Sequence, residues 1–97
     1  MEKFAIMVRL EAKPGKEQEV ADFLKGALPL ALQEAFTISW YVYQIGPSTF
    51  GIFDTFADEE GRNAHLGGEI AKALMEHAGD LLASPPVIEQ PTLLAVK

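Results

Sequence analysis

Large hydrophobic side chains occupy every second position near the start of the chain. They are Phe4, Ile6, Val8 and Leu10. A repeat of two residues is typical of a β-strand, which we predict over residues 4–12. The sequence Lys-Pro-Gly-Lys at residues 13–16 ends this strand, because proline has no amide proton to donate and glycine favours a turn.

From residue 17 the hydrophobic positions recur every three or four residues, which is typical of an amphipathic helix. They are Val20, Phe23, Leu24, Ala27, Leu28 and Ala31. Pro29 lies within this pattern. A proline inside a helix removes a hydrogen bond and clashes with the preceding turn. We therefore expect the helix to kink or divide before it ends near residue 34.

Residues 37–45 and 49–56 are rich in β-branched and aromatic side chains, which favour strands. Only a Gly-Pro-Ser sequence separates the two segments, and so they are predicted to form a hairpin. A turn of this length pairs Trp40 with Asp54 and Tyr41 with Phe53.

Two helices and a strand are predicted for the rest of the chain. Asp58, followed by two glutamates, is typical of a helix start, and Gly67 and Gly68 end this helix after residue 66. A second helix runs to about residue 83, before a Ser-Pro-Pro sequence. Residues 87–96 form a last strand that Pro91 interrupts, and so we expect an edge or bulged strand.

The order β-α-β-β-α-β predicts an α+β, ferredoxin-like fold of the split βαβ type. In this fold the helices cover one face of an antiparallel sheet. The 97 residues are enough for one domain, which we take to span the whole chain.

Both faces of the predicted sheet are hydrophobic, although helices cover only one of them. The even face carries Val8, Ile38, Trp40, Val42, Ile52 and Phe56. A large exposed hydrophobic patch on the other face marks an interface with a protein. We therefore expect a homodimer, or alternatively a C-terminal segment that covers this face within one chain. The expected dimer residues are Met7, Tyr41, Tyr43 and Phe53.

Composition excludes several classes of function. A net charge of −6 and a pI near 4.7 disfavour nucleic acid, which requires a basic surface, and an anionic membrane face. The chain has no cysteine, so disulfides and thiolate metal sites are excluded. No hydrophobic run reaches the roughly 20 residues that span a bilayer, and the first residues lack the core of a signal peptide. We expect a cytoplasmic protein.

Four polar residues in hydrophobic surroundings are candidates for chemistry, namely His65, Asp54, His77 and Arg9. Arg9 is expected to pair with an acid across the dimer rather than to bind substrate. His65 precedes the Gly-Gly break, and an imidazole exchanges protons near neutral pH; the alternative is a half-buried histidine bonded to a backbone carbonyl. Because Asp54 lies beside Trp40, we expect its carboxylate to accept a hydrogen bond from the indole N–H. The alternative is a carboxylate that reaches solvent or an arginine. His77 is expected to pack in the core or at a helix end. Glu69 lies four residues from His65, but no third ligand is evident, so no metal is expected.

The sequence from Phe50 to Leu66, F-x-x-F-D-T-F-A-D-E-E-G-R-N-A-H-L, resembles the antibiotic biosynthesis monooxygenase family, together with the strand, K-P-G, helix and hairpin before it. The resemblance implies a dimeric α/β barrel and oxygenation of quinols or phenols without metal or flavin. Some members degrade haem, but they carry asparagine at the position of Val8 and tryptophan at that of His65, which disfavours haem here. The resemblance also implies a substrate cavity between the even face and the helices. Its expected lining includes Trp40, Asp54, Phe56, Val8 and Ile52.

The sequence therefore leads to two hypotheses from different classes. The first is a cofactor-independent monooxygenase that acts on a small aromatic molecule and dioxygen. In this hypothesis His65 removes a phenolic proton or holds the resulting anion, Trp40 and Phe56 stack the ring, and Asp54 orients a neighbour. The second is a non-enzymatic dimeric module that binds a small apolar ligand or a protein partner.

Overall fold

A computed structural model describes residues 2–97, which form a small α+β domain. Four strands and four helices follow one another along the chain. Their order is β1 (Phe4–Glu11), α1 (Glu17–Gly26), α2 (Leu28–Gln33), β2 (Ser39–Gln44), β3 (Thr49–Phe56), α3 (Glu59–Leu66), α4 (Glu69–Leu81) and β4 (Val87–Glu89). None of the helices in this part of the chain is long and hydrophobic enough to cross a membrane.

The four strands form one antiparallel sheet in the order β2-β3-β1-β4. The hairpin register is the predicted one, with Trp40 opposite Asp54 and Tyr41 opposite Phe53. Strand β1 pairs with the whole of β3, from Phe4 opposite Phe56 onwards. The predicted ferredoxin-like arrangement is therefore confirmed.

The even-numbered side chains of β1 and β3 face the helices and form the core. Val20 and Leu24 of α1 and Leu74 of α4 pack against them. The remaining cavity between this face, α1 and α4 has a volume of about 10 Å³, which is barely enough for one water molecule. This part of the interior is packed, and its lining includes none of the residues expected to line the substrate cavity. The strand residues buried in this core are Ile6, Val8, Leu10, Phe50, Ile52 and Phe56.

The long helical pattern is divided at Ala27, as Pro29 predicted. Pro29 lies in the first turn of α2, where its missing amide proton would have had no helical partner. The backbone N–H of Ala27 donates to the carbonyl of Leu24 and ends α1. Helix α2 then carries the chain to Glu34, its C-cap residue.

The last strand is shorter than predicted, because Pro91 ends regular pairing. Strand β4 covers only Val87–Glu89 instead of residues 87–96. Irregular pairing continues beyond it: Ala5 N–H donates to the Pro91 carbonyl at 3.1 Å, and Leu93 N–H donates to the Lys3 carbonyl at 2.7 Å. As expected, β4 is an edge strand.

The odd-numbered face of the sheet is open within residues 2–97. Tyr41 is 58% exposed, and Met7 and Tyr43 are also exposed. The C-terminal segment pairs along the edge of β1 and leaves this face uncovered, contrary to the alternative that it would act as a cover. The Tyr43 ring lies over Gly51, where a Cβ atom would come within 2.3 Å of the ring.

We predict that Asp58→Ala destabilises the protein by about 1 kcal/mol, since N-cap replacements typically cost about 0.5–2 kcal/mol. The Asp58 carboxylate accepts a hydrogen bond from the Gly61 N–H at 2.7 Å and begins α3. Urea denaturation measures the change in the free energy of unfolding. Glu76→Ala, which removes an exposed acid within α4, is the control and should shift it by less than about 0.5 kcal/mol. Equal effects of the two substitutions would contradict the capping role.

Candidate functional site: a buried histidine between two carboxylates

His65 lies in the last turn of α3, on the side of the helix that packs against the sheet. The residue is only 5% exposed. Its ring lies against Phe56, with 5.3 Å between the ring centroids and an interplanar angle of 46°. Arg62, one helical turn earlier, is also buried, because side chains three residues apart share a helix face. Helix α3 thus directs two basic side chains towards the sheet.

Each nitrogen of the His65 ring contacts a carboxylate from a different element. Nδ1 lies 2.7 Å from Oε1 of Glu34, which follows α2. Nε2 lies 2.9 Å from Oδ2 of Asp54 in β3. Residues far apart in the sequence are therefore brought together by the packing of α2, α3 and the sheet. We refer to Glu34, His65 and Asp54 as the acidic–histidine cluster.

Asp54 is completely buried on the helix-facing side of the sheet. Its contact with His65 is short but does not have hydrogen-bond geometry, and both of its oxygens lack a hydrogen-bond partner within residues 2–97. The contact is thus mainly the attraction between a carboxylate and the ring. A buried carboxylate needs such a partner because an isolated charge in a low-dielectric interior is very unfavourable.

The predicted hydrogen bond between Trp40 and Asp54 is not formed. The Trp40 Nε1 atom is buried without a partner in the described residues, although the two residues are opposite each other in the sheet. The Asp54 carboxylate lies against His65 instead. The alternative prediction, that Asp54 reaches solvent or an arginine, is also wrong, since Asp54 is buried and contacts His65.

The pKa of His65 is raised above its ordinary value of 6.5. Burial of the ring is the largest single influence and lowers the pKa. The charges of Asp54 and Glu34, and the short contacts that both carboxylates make with the ring, act in the opposite direction and together outweigh it. The geometry agrees with this direction, because only a protonated imidazole has an N–H to present to both carboxylates.

Glu34 is the member of the cluster that the sequence did not reveal. Its Oε1 atom also accepts a hydrogen bond from the Thr37 hydroxyl at 2.8 Å, which orients the carboxylate. Gly68 packs closely beside it: a Cβ atom there would lie 3.4 Å from Oε2. Along the chain, Glu34 is one of 14 acidic residues and belongs to no motif, so no local signal distinguishes it.

The predicted substrate residues lie in two different environments. Val8, Ile52 and Phe56 belong to the packed core. Trp40 is partly exposed and lines a surface depression of about 250 Å³ together with Glu34 and residues of α2. Trp40 and Glu34 thus line the same depression. Asp54 and Phe56, both in β3, contact the His65 ring from the sheet.

His77 lies apart from this cluster, on α4. It is exposed, so the expected packing in the core is wrong. Its ring lies against Phe23 of α1, with 5.1 Å between the ring centroids. This contact links α1 and α4 at the surface.

No group of three or more His, Asp or Glu side chains in residues 2–97 is arranged to hold a metal ion. In the acidic–histidine cluster, the imidazole separates the two carboxylates, which contact opposite nitrogens of the ring. They therefore do not converge on a single point.

The fold and this site define a small ferredoxin-like α+β protein with a buried histidine between two carboxylates. No family model and no curated protein matches the chain. The chain is 61% identical to NE2512, a protein of unknown function from Nitrosomonas europaea, and the match covers 100% of this chain and 94% of NE2512, with a TM-score of 0.97. The protein therefore belongs to the same family as NE2512.

More distant solved structures share the fold. Two of them bear the name "putative antibiotic biosynthesis monooxygenase". The one from Nitrosomonas europaea has 14% identity, a TM-score of 0.83, and coverage of 95% of this chain and 90% of its own. The one from Caulobacter crescentus has 21% identity, a TM-score of 0.78, and coverage of 99% and 92%. At these identities the likeness establishes the fold alone.

We predict that stability decreases with rising pH as His65 loses its proton. Because its pKa is higher in the folded than in the unfolded state, the contribution to stability is complete below about pH 6.5 and is lost as the pH rises through the folded pKa. NMR titration of the imidazole measures the pKa of His65, and denaturation at several pH values measures the free energy of unfolding. His65→Gln should remove this part of the pH dependence, whereas His77→Gln should keep it. A folded His65 pKa below the ordinary histidine value of 6.5 would contradict the assignment.

Proposed function

We propose that this protein is a cofactor-independent monooxygenase that acts on a small aromatic substrate of the quinol or phenol type. The observation that carries the proposal is the acidic–histidine cluster, in which His65 contacts Glu34 at one nitrogen and Asp54 at the other. A histidine held by carboxylates is suited to proton transfer near neutral pH. Removing the proton of a phenol makes its ring electron-rich enough to react with dioxygen.

The reaction needs no external reductant, because the substrate supplies all the electrons. A hydroquinone and dioxygen give a hydroxyquinone and water, with one oxygen atom entering the ring and the other leaving as water. The protein removes the phenolic proton through the acidic–histidine cluster and returns a proton when water is formed. Asp54 balances the charge of the His65 ring throughout.

The comparisons support this choice of reaction class in a limited way. Two of the structures with the same fold are named after the antibiotic biosynthesis monooxygenases, the family that the sequence from Phe50 to Leu66 resembles. The fold hosts more than one function, so the proposal depends on the site. Asp54 and Phe56, which carry the resemblance together with His65, both contact the His65 ring.

A second candidate is a non-enzymatic module that binds a small apolar ligand or a protein partner. The packed interior favours it, because Val8, Ile52 and Phe56 are buried by their own neighbours. The His65 ring is also almost inaccessible. A wild-type protein that binds phenols but consumes no oxygen with any of them would establish this second candidate.

We predict that His65→Ala lowers the rate of oxygen uptake with quinol substrates by at least about 100-fold, because it disrupts the cluster that takes the phenolic proton, and acid–base catalysis typically contributes about 10²–10⁴-fold. An oxygen electrode, with purified protein and a panel of benzohydroquinones and naphthohydroquinones, measures the rate. His77→Ala is the control, because His77 is exposed and distant from the cluster. Unchanged uptake in His65→Ala would remove His65 from the mechanism.

We also propose that the protein is a homodimer formed through the open face of the sheet. The exposed side chains of Met7, Tyr41 and Tyr43 form a hydrophobic surface next to half-buried Phe53. In the described part of the chain, no helix covers this surface. Burying such surface contributes about 25 cal/mol per Å², and pairing with a second copy is the direct way to bury it.

We predict that the double substitution Tyr41→Ser and Phe53→Ser gives monomer or aggregate, because it removes the two facing aromatic rings from this surface. Size-exclusion chromatography with light scattering measures the mass. Met75→Ser, which changes an exposed side chain on α4, should leave a dimer. A double variant with the same dimeric mass as the wild type would show that the interface lies elsewhere.

A further inference from the structure

A depression of about 250 Å³ lies between α2 and the beginning of β2. Five of its eight lining residues are hydrophobic and three are polar. Glu34 is the only ionisable residue of that lining, and Thr37 and Ser39 supply hydroxyl groups beside it. The other residues of the lining are Leu28, Ala31, Leu32, Ile38 and Trp40.

Three hydrophobic side chains at this depression are exposed to solvent. Leu32 of α2 is 76% exposed, and Leu28 and Ile38 are also exposed. They are separate from the open sheet face, because two of them belong to α2. Hydrophobic side chains clustered around a concave surface are typical of a ligand-binding site.

Glu34 is the member of the acidic–histidine cluster that reaches this depression. Its side chain is 11% exposed, against 6% for His65 and 0% for Asp54. Its Oε1 atom is occupied by His65 and Thr37. The Oε2 atom accepts no hydrogen bond within residues 2–97, and Gly68 lies beside it. Because Glu34 lines the depression, Oε2 is the oxygen left to accept a hydrogen bond from a ligand.

We infer that the substrate binds in this depression, with its hydroxyl group donating to Oε2 of Glu34 and its ring against Trp40. The inference rests on the proposed function and identifies where the proton leaves the substrate. Glu34 is then the catalytic residue that touches the substrate. His65 is a positioning residue that holds the Glu34 carboxylate in place and balances its charge.

The size and charge of the depression define the class of substrate. A closed cavity of about 150 Å³ is large enough for benzene, so 250 Å³ suits a single substituted ring or two small fused rings. The Glu34 carboxylate favours a hydroxyl donor and repels an anionic group placed there. The substrate is thus an uncharged phenol or quinol rather than an aromatic acid.

The test measures binding without turnover. The chain has a single tryptophan, so the indole N–H of Trp40 gives one NMR signal. We expect 1-naphthol, added under nitrogen, to shift this signal in a saturable way, and 1-naphthoate to bind at least tenfold more weakly. Naphthol binding that saturates other signals but leaves Trp40 unshifted would overturn the site, as would equal affinity for the two probes.

Two variants and a matched control test the residues. Glu34→Gln keeps the shape of the side chain and removes its charge, and Leu32→Glu places a charge at the rim. Each should weaken 1-naphthol binding at least tenfold, because Glu34→Gln removes the charge of the acceptor and Leu32→Glu places a charge beside the hydrophobic ring. Leu94→Glu changes a side chain that is 95% exposed outside the depression and should bind like the wild type. Wild-type affinity in both Glu34→Gln and Leu32→Glu would overturn the inference.

Oxygen uptake separates this inference from the proposed function. If the protein binds 1-naphthol at Trp40 but consumes oxygen with none of the quinols, the inferred binding site stands and the proposed monooxygenase activity is wrong. If quinol-dependent oxygen uptake is unchanged in Glu34→Gln and Leu32→Glu, the proposed activity stands and the inferred binding site is wrong.

Discussion

The burial of the Asp54 carboxylate constrains the arrangement of the helices on the sheet. Asp54 lies in the middle of β3, completely enclosed, and its oxygens contact no hydrogen-bond donor with good geometry. Removing one partner of a buried ion pair typically costs about 3–5 kcal/mol. His65 must therefore stay within reach, which fixes the end of α3 above β3. Through the second nitrogen of the same ring, Glu34 and the end of α2 are fixed as well.

Helix α3 shows how a mainly polar segment can pack against a hydrophobic sheet. Its inward face carries Arg62 as well as His65. The Arg62 guanidinium lies 5.0 Å from the centre of the Phe4 ring and donates to the Ala5 carbonyl at 3.5 Å. A cation over an aromatic ring is stabilised by the charge distribution of the ring. The helix thus packs through two basic groups, each placed against a specific partner.

The sequence predicted the sheet well because a strand has a strict repeat of two. A shift of one residue would move Ile6 and Val8 into solvent, so the register is strongly specified. The same parity placed Asp54 and Phe56 on the helix-facing side, beneath His65. The extent of β4 was overestimated, because Pro91 ends the regular pairing while the chain continues along the edge. The register of the sheet and the end of β4 are local features, and a repeat pattern or a single residue type is enough to predict them.

The position of Glu34 could not be predicted, because it depends on tertiary structure. Pro29 indicates that the helix divides, but neither the direction of α2 nor its distance from α3 follows from the sequence. Only when α2 packs against α4 and the sheet does the carboxylate meet a histidine 31 residues away. The resulting cluster runs from the enclosed Asp54 through His65 to Glu34 at the surface depression. Because the sheet–helix interior is packed, this outer end of the cluster is where a substrate and the buried charges can meet.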